Sequence, residues 1–166
     1  IIVAVIGNNN IISMWYHETD YWANRQSSTM GEISSQYRLT VTPKRSDSKI
    51  VLEATLPSQR VTMHALNHYA IYNVTDSGYV NLPQLPSGQS RARSHCSSRG
   101  QYNADNAVVN VIRTVTDSFS GSKTFAIWCS TYSSDLTRHN HSAGNSSNQV
   151  HFSSNMVFLA YELEDI

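Results

Sequence analysis

Apolar and polar positions alternate twice between Tyr37 and Leu56. Tyr37, Leu39 and Val41 project to one side and Arg38, Thr40 and Thr42 to the other; after a polar break, Ile50, Leu52, Ala54 and Leu56 oppose Val51, Glu53 and Thr55. A period of two is the signature of a half-buried strand, and the β-branched residues in both runs suit a pleated surface. Between the runs Pro43 cannot donate to a ladder, and Lys44, Arg45, Ser46, Asp47 and Ser48 have nothing to bury. The pattern predicts a hairpin that turns at Pro43 to Ser48, with its second strand ended by Pro57 and Ser58. Lys44 and Arg45 read as a solvated turn, the alternative being contact with a phosphate or an anionic glycan.

The same reading extends along the chain. Ile1 to Ile6 predicts a buried strand or the end of a preceding shaft, closed by Gly7 and three asparagines. Ile11 to Trp22 gathers Trp15, Tyr16, Tyr21 and Trp22 around Glu18 and Asp20. Aromatics in that density fill a core or a subunit interface, and with carboxylates between them they can also stack on sugars. Trp15 and Trp22 are therefore candidate receptor-contact residues. Gln26 to Ser35 is a polar link, and a domain boundary is expected there: residues 1–34 as a joining segment, 35–166 as the main domain.

Arg60 to Thr75 predicts one long strand or two short ones bent near Asn67, with Tyr69 and Ile71 on one face and His64 and His68 as ordinary strand histidines. Gly78 to Asp105 has no sustained period and is too long for a plain connection, so it is either functional or partly structured. It holds the densest basic cluster, Arg91, Arg93 and Arg99, flanked by Tyr79 and Tyr102. These five are further candidates for receptor contact. Ala107 to Thr116 alternates as a strand. Lys123 to Tyr132 sets Phe125, Ile127 and Cys129 against Ala126, Trp128 and Tyr132. Both faces are apolar, which predicts shelter on both; Ala126, Trp128 and Tyr132 are accordingly expected at a subunit interface. Ser133 to Asn155 predicts a second long polar loop, and Met156 to Leu163 a closing strand. Roughly seven to nine strands with Pro- and Gly-marked turns point to an all-β fold, an antiparallel β-sandwich of jelly-roll type.

Composition narrows the function. The chain has 166 residues, enough for one self-sufficient core. Charged residues make up 14%, and 12 Lys and Arg balance 12 Asp and Glu, which argues against a nucleic-acid partner. A surface rich in Ser, Thr and Asn suits a carbohydrate partner, and weak charge favours hiding apolar surface in an oligomer. The opening run IIVAVI is too short to insert into a membrane, and the lack of an initiator Met is expected of a piece of a longer chain. No nucleophile elbow, phosphate loop, repeated Cys pair or singled-out carboxylate pair is present, so neither enzymatic activity nor a cofactor is expected. His139-Asn140-His141 is the one metal-like spacing, since residues two apart on an extended chain share a side; its polar neighbours make it a surface loop first and a metal site second. Cys96 and Cys129 lack zinc-type spacing and read as free thiols, or as a pair if the protein matures in an oxidising compartment.

Two segments carry a resemblance. Val41-Thr42-Pro43-Lys44-Arg45-Ser46-Asp47-Ser48-Lys49-Ile50-Val51-Leu52 is strand, Thr-Pro, Ser-rich turn with Ser-Lys-Ile, strand; Ser153-Ser154-Asn155-Met156-Val157-Phe158-Leu159-Ala160-Tyr161-Glu162-Leu163 is a Ser-rich lead into a last apolar strand. Both resemble segments near the C-terminal ends of tail-fibre and other virion-fibre proteins of marine and cyanobacterial bacteriophages. The resemblance covers the chain from about Ser35 onward. It implies a homotrimeric β-sandwich head at the end of a fibre in the virion, touching other virion proteins and a host-surface glycan or protein. It also implies reduced thiols and, through three copies of His139 and His141, a conceivable axial metal. A purely structural virion protein, such as a capsid decoration or collar fibre, is the alternative. A secreted trimeric recognition domain with Cys96 and Cys129 joined is a third.

Overall fold

The computed structural model describes residues 11–60, 66–82, 94–99, 107–131, 137–139 and 155–164. They form β1 (Ile11–Thr19), β2 (Ala23–Arg25), β3 (Gly31–Glu32), β4 (Arg38–Val41), β5 (Ser48–Arg60), β6 (Leu66–Asn73), β7 (Gly78–Tyr79), β8 (Cys96–Arg99), β9 (Ala107–Asp117), β10 (Lys123–Thr131), β11 (Thr137–His139) and β12 (Met156–Glu164), with a single 3-10 turn at Ser35–Tyr37. The fold is all-β.

The strands divide into two antiparallel sheets. In sheet I, β1 pairs with β12 and β12 with β5; β9 takes the other edge of β5, and β11 followed by β2 continues where β12 stops. In sheet II, β3 and β4 lie along one side of β10 and β6 along the other, with β7 and β8 beyond β6. Each strand gives alternate side chains to the space between the sheets. Ile50, Leu52, Ala54, Leu56, Ile112, Met156, Phe158 and Ala160 enter from sheet I, and Tyr37, Leu39, Val41, Tyr69, Ile71, Phe125, Ile127 and Cys129 from sheet II. Leu52, Ile71 and Phe158 have no exposed surface. Truncating any of them to alanine should cost about 2–5 kcal/mol.

The two alternating runs around Pro43 are strands, yet they are not a hairpin. β4 pairs with β10 in sheet II, whereas β5 pairs with β12 and β9 in sheet I. The reason is the core: Leu39 and Val41 seek the same apolar space as Ile50 and Leu52. Face-to-face packing buries both sets against each other, and side-by-side pairing does not. The segment from Thr42 to Asp47 carries the chain between sheets that pack roughly 10 Å apart. At this crossing the buried Glu162 carboxylate, on the inner face of β12, accepts from the N–H groups of Lys44 (3.0 Å) and Arg45 (2.9 Å) and the hydroxyl of Ser48 (2.7 Å). Burial alone would raise its pKa; the hydrogen bonds from Ser48, Lys44 and Arg45 outweigh that and hold it below the usual carboxylate value.

Pro57 departs from expectation, whereas the connection after Gly78 and the two free thiols agree with it. Pro57 does not end a strand: β5 runs on to Arg60, and Pro57 falls where β12 has stopped opposite Thr55 and β11 has not begun opposite Ser58. Proline is tolerated in a strand where one neighbour is missing. Within residues 11–34, β1 and β2 belong to sheet I and β3 to sheet II. The long connection after Gly78 is partly structured through β7 and β8. Cys96 and Cys129 are free, each opposite Tyr69 on a different side of β6. Two strand spacings, roughly 9.6 Å, exceed the span a disulfide bridges.

Candidate functional site

The outer face of sheet I is the surface least expected from the strand pattern of a solvated sandwich. Its side chains form rows across β1, β12, β5 and β9: Tyr16, Leu159, Glu53, Arg113 in one row and Met14, Tyr161, Val51, Val115 in the next, with Val157, Thr55 and Val111 above and Leu163 below. Tyr16 is 56% exposed and Val111 54%, with Met14, Val109 and Val115 similarly open. Antiparallel sheets with one wet face place polar residues there; this face is apolar along β12 and over much of β1 and β9, while β5 shows Lys49, Glu53 and Thr55 around a covered Val51. Its polar groups largely pair with one another along the face. The Arg113 guanidinium lies 3.7 Å from Glu53 and donates to the Tyr161 hydroxyl at 3.0 Å, and the Tyr16 phenol donates to Glu18. A contiguous apolar sheet face of this kind marks an interaction surface.

Sheet II answers the same demand within the subunit. On β10 the outward residues are Ala126, Trp128 and Ser130, as alternation predicts. Trp128 stacks on Tyr72 (3.8 Å between centroids, 15° between planes), and Tyr79 meets both edge-on. Ala126, opposite Tyr72 and Arg38, has no exposed surface. It therefore offers nothing to a neighbouring subunit, contrary to expectation, and Trp128 is half-covered by its own chain. Arg38 and Glu32 close the flank with a two-pronged ion pair at 2.7 and 2.8 Å. Tyr132 lies outside the described residues.

The expected receptor-contact residues are not brought together. Trp15 points inward: Ser13, Trp15 and His17 alternate with the exposed Met14, Tyr16 and Glu18, and Trp15 packs against the core. Trp22 is 53% exposed beside Tyr21, which sets its ring edge-on to Tyr37. They follow the last residue of β1, Thr19, which stands opposite Met156 at one end of the sandwich. Arg99 ends β8 opposite Leu66, whose strand pairs Asn67 with Thr131 at this same end. Arg91, Arg93 and Tyr102 lie outside the described residues. Tyr79 sits toward the other end, where β6 turns into β7.

That other end holds a cleft of about 320 Å³ between the turn after β6 and the connection from β9 to β10. Tyr79, Asp76 and Asn81 line one wall and Asp117, Phe119 and Lys123 the other. Lys123 reaches Asp76 at 2.5 Å and lies 4.8 Å over the Phe119 ring. The hydrogen bond from Lys123, and then its charge, hold the Asp76 carboxyl below its usual value.

His139 is not in a surface loop. In β11, opposite Ser58 and Ala23, its ring is fully buried edge-on to Tyr69, and neither nitrogen has a hydrogen-bond partner among the described residues. Burial first, and the charge of Arg25 second, push its pKa down to about 3. A ring enclosed this way is unsuited to an axial metal. Its supposed partner His141 lies outside the described residues, among which no cluster of three His, Cys, Asp or Glu could hold a metal ion.

Compared with known proteins, the chain matches no family model and no curated protein. The apolar sheet face, missed in the sequence, had one signal there: Met156 to Leu163 is almost continuously apolar in both phases of its alternation, and β9 places Val109, Val111 and Val115 in the phase opposite the buried Ile112.

Proposed function

We propose that the chain is the head domain of a bacteriophage fibre, assembled as a homotrimer through the outer face of sheet I and carried on the virion. The observation that supports this best is that face: Val157, Leu159 and Tyr161 of β12 beside Met14 and Tyr16 of β1 and Val111 and Val115 of β9, with Glu53 and Arg113 paired to each other between them, needing a cover that the chain's own described residues do not supply. The number three comes from the fibre resemblance. Zero net charge leaves no long-range repulsion between copies.

The strand order supports a jelly roll. Taking β1, β4, β5, β6, β8, β9, β10 and β12 in chain order as first to eighth, sheet I runs first, eighth, third, sixth and sheet II second, seventh, fourth, fifth. This is the interleaving of two Greek keys. Such a head contacts a host-surface glycan or protein through the end bearing Tyr21 and Trp22, where exposed aromatics give large contact area at small entropic cost. Three copies in one rigid head would turn weak single contacts into firm attachment. The separation of Cys96 and Cys129 disfavours the secreted alternative.

Adsorption tests this reading. The purified chain should bind marine or cyanobacterial host cells and block infection by the parent phage, and Trp22→Ala should weaken both about tenfold or more. A head that assembles but binds no cells and blocks no infection would instead be a structural virion protein contacting only its neighbours, such as a collar fibre or capsid decoration.

A further inference from the structure

At the end of the sandwich where Tyr21 and Trp22 stand, sheet I finishes in its two shortest strands. β2 and β11 have three residues each; β11 pairs with β5 on one side and β2 on the other, and β2 closes the edge. The rest of the sheet is held by long ladders, β5 with β12 from Ser48 to Thr55 and with β9 from Lys49 to Gln59. Local opening is easiest where the fewest backbone pairs and buried contacts must part, so the β2–β11 edge is the weakest portion of sheet I. Three sets of contacts hold it. Ala23 and His139 place their side chains in the core; the hydroxyl of Tyr37, itself without exposed surface, is shared between the carbonyls of Tyr21 at 2.8 Å and His139 at 3.3 Å; and Arg25 Nε donates to the Cys129 carbonyl at 3.2 Å.

Of these contacts, the one made by His139 is sensitive to mild acid. Its ring has no exposed surface, lies edge-on to Tyr69 with centroids 5.8 Å apart, and has no hydrogen-bond partner for either nitrogen among the described residues. The ionisable groups around it are Arg25 on β2, Tyr37 at the 3-10 turn, Tyr69 on β6 and, opposite Tyr69, Cys129 on β10; β5 brings the neutral Ser58 beside it. None of them is a carboxylate. As a neutral ring His139 packs like any aromatic core residue. As an imidazolium it would carry two N–H donors without acceptors and have a guanidinium for a neighbour, so the charge is accommodated by leaving the core. The short edge that carries the ring is the shortest way out.

We propose that β2 and β11 form an acid-released flap: protonation of His139 lets Ala23–Arg25 and Thr137–His139 detach while the remainder of both sheets stays folded. The trigger is a buried histidine without an acceptor, the moving part is a three-residue edge, and Tyr37, anchored in the core, is the clasp that closes it. Tyr21 and Trp22 directly precede β2, so opening also releases the exposed aromatic end. The free ring titrates at 6.5 and the enclosed one near 3. The open population therefore rises about tenfold per pH unit below 6.5, and about thirtyfold from pH 7.5 to pH 5. That acid loosens contact with a host surface rests on the fibre-head reading; the flap itself does not.

Hydrogen–deuterium exchange of the full chain, corrected for the intrinsic pH dependence of amide exchange, tests the proposal. Opening of Ala23–Arg25 and Thr137–His139 should increase about thirtyfold between pH 7.5 and pH 5. At pH 5 these segments should exchange about a hundredfold or more faster than the β5 core from Ile50 to Thr55, and dilute urea should leave their rates unchanged while raising those of the core, the mark of opening short of global unfolding. His139→Phe should abolish the pH dependence at the edge. Tyr37→Phe keeps the ring and removes the clasp; it should open the edge about fivefold more at both pH values and preserve the thirtyfold ratio. The native chain and Tyr37→Phe keep the test decisive even if His139→Phe does not fold. No increase in acid, edge rates that match the core and rise with urea, or an increase that persists in His139→Phe would overturn the proposal. A flap that opens in a chain that is monomeric or ignores host cells would contradict the fibre reading and leave this one standing.

Discussion

Buried on the inner face of β12, the carboxylate of Glu162 stands in for a partner strand where Lys44 and Arg45 pass from one sheet to the other. Replacing it by alanine leaves those N–H groups and the Ser48 hydroxyl without their acceptor. Glu162→Ala should cost about 2–3 kcal/mol in urea unfolding, and Glu162→Gln less. Because its folded pKa lies below the ordinary 4.5, its contribution is present above that value and fades as pH falls through the folded one. His139 acts over a higher window. Its pKa falls from 6.5 in the unfolded chain to about 3 in the fold, so between those values the unfolded state binds the extra proton. Stability should drop on acidification from near pH 6.5, at up to about 1.4 kcal/mol per pH unit. His139→Phe should make that profile shallower above pH 4.5 without flattening it, because burial also lowers His68 and His95, which still take up protons on unfolding. The sequence could not show this burial. β11 is three residues long, too short for alternation to register, and its neighbours Asn140, Ser142 and Gly144 read as loop.

Strand identity was legible where both phases of the alternation were long, as in β4, β5, β9 and β12. Strand pairing was not, because period two specifies which residues share a face and leaves open which strand lies beside them. β4 and β5 therefore looked like a hairpin and are a crossover between sheets. The same limit bears on the subunit face expected at β10: its residues are apolar on both sides, and Tyr72 and Tyr79 come from elsewhere in the chain to pack on Trp128. The two faces make opposite predictions. Trp128→Ala removes a stacked pair inside the subunit and should lower stability by about 2–3 kcal/mol while leaving the oligomer unchanged. Val111→Lys alters an exposed position of β9. It should leave chemical unfolding of the isolated subunit within about 0.5 kcal/mol and disrupt assembly, read by size-exclusion chromatography with light scattering.

For the whole molecule, the two sheets exclude water from one shared core and leave one broad apolar face outside it. A neutral chain with few charged residues lacks the repulsion that keeps such faces apart, so assembly is the expected resting state. The most direct measurement is sedimentation equilibrium of the unaltered chain at micromolar concentration, run beside the double variant Val111→Lys with Leu159→Lys. A species of three chain masses that falls to one in the variant, with the β spectrum of both retained, is the predicted result. An unaltered chain that sediments as a monomer would contradict the covered sheet and the trimeric head built on it.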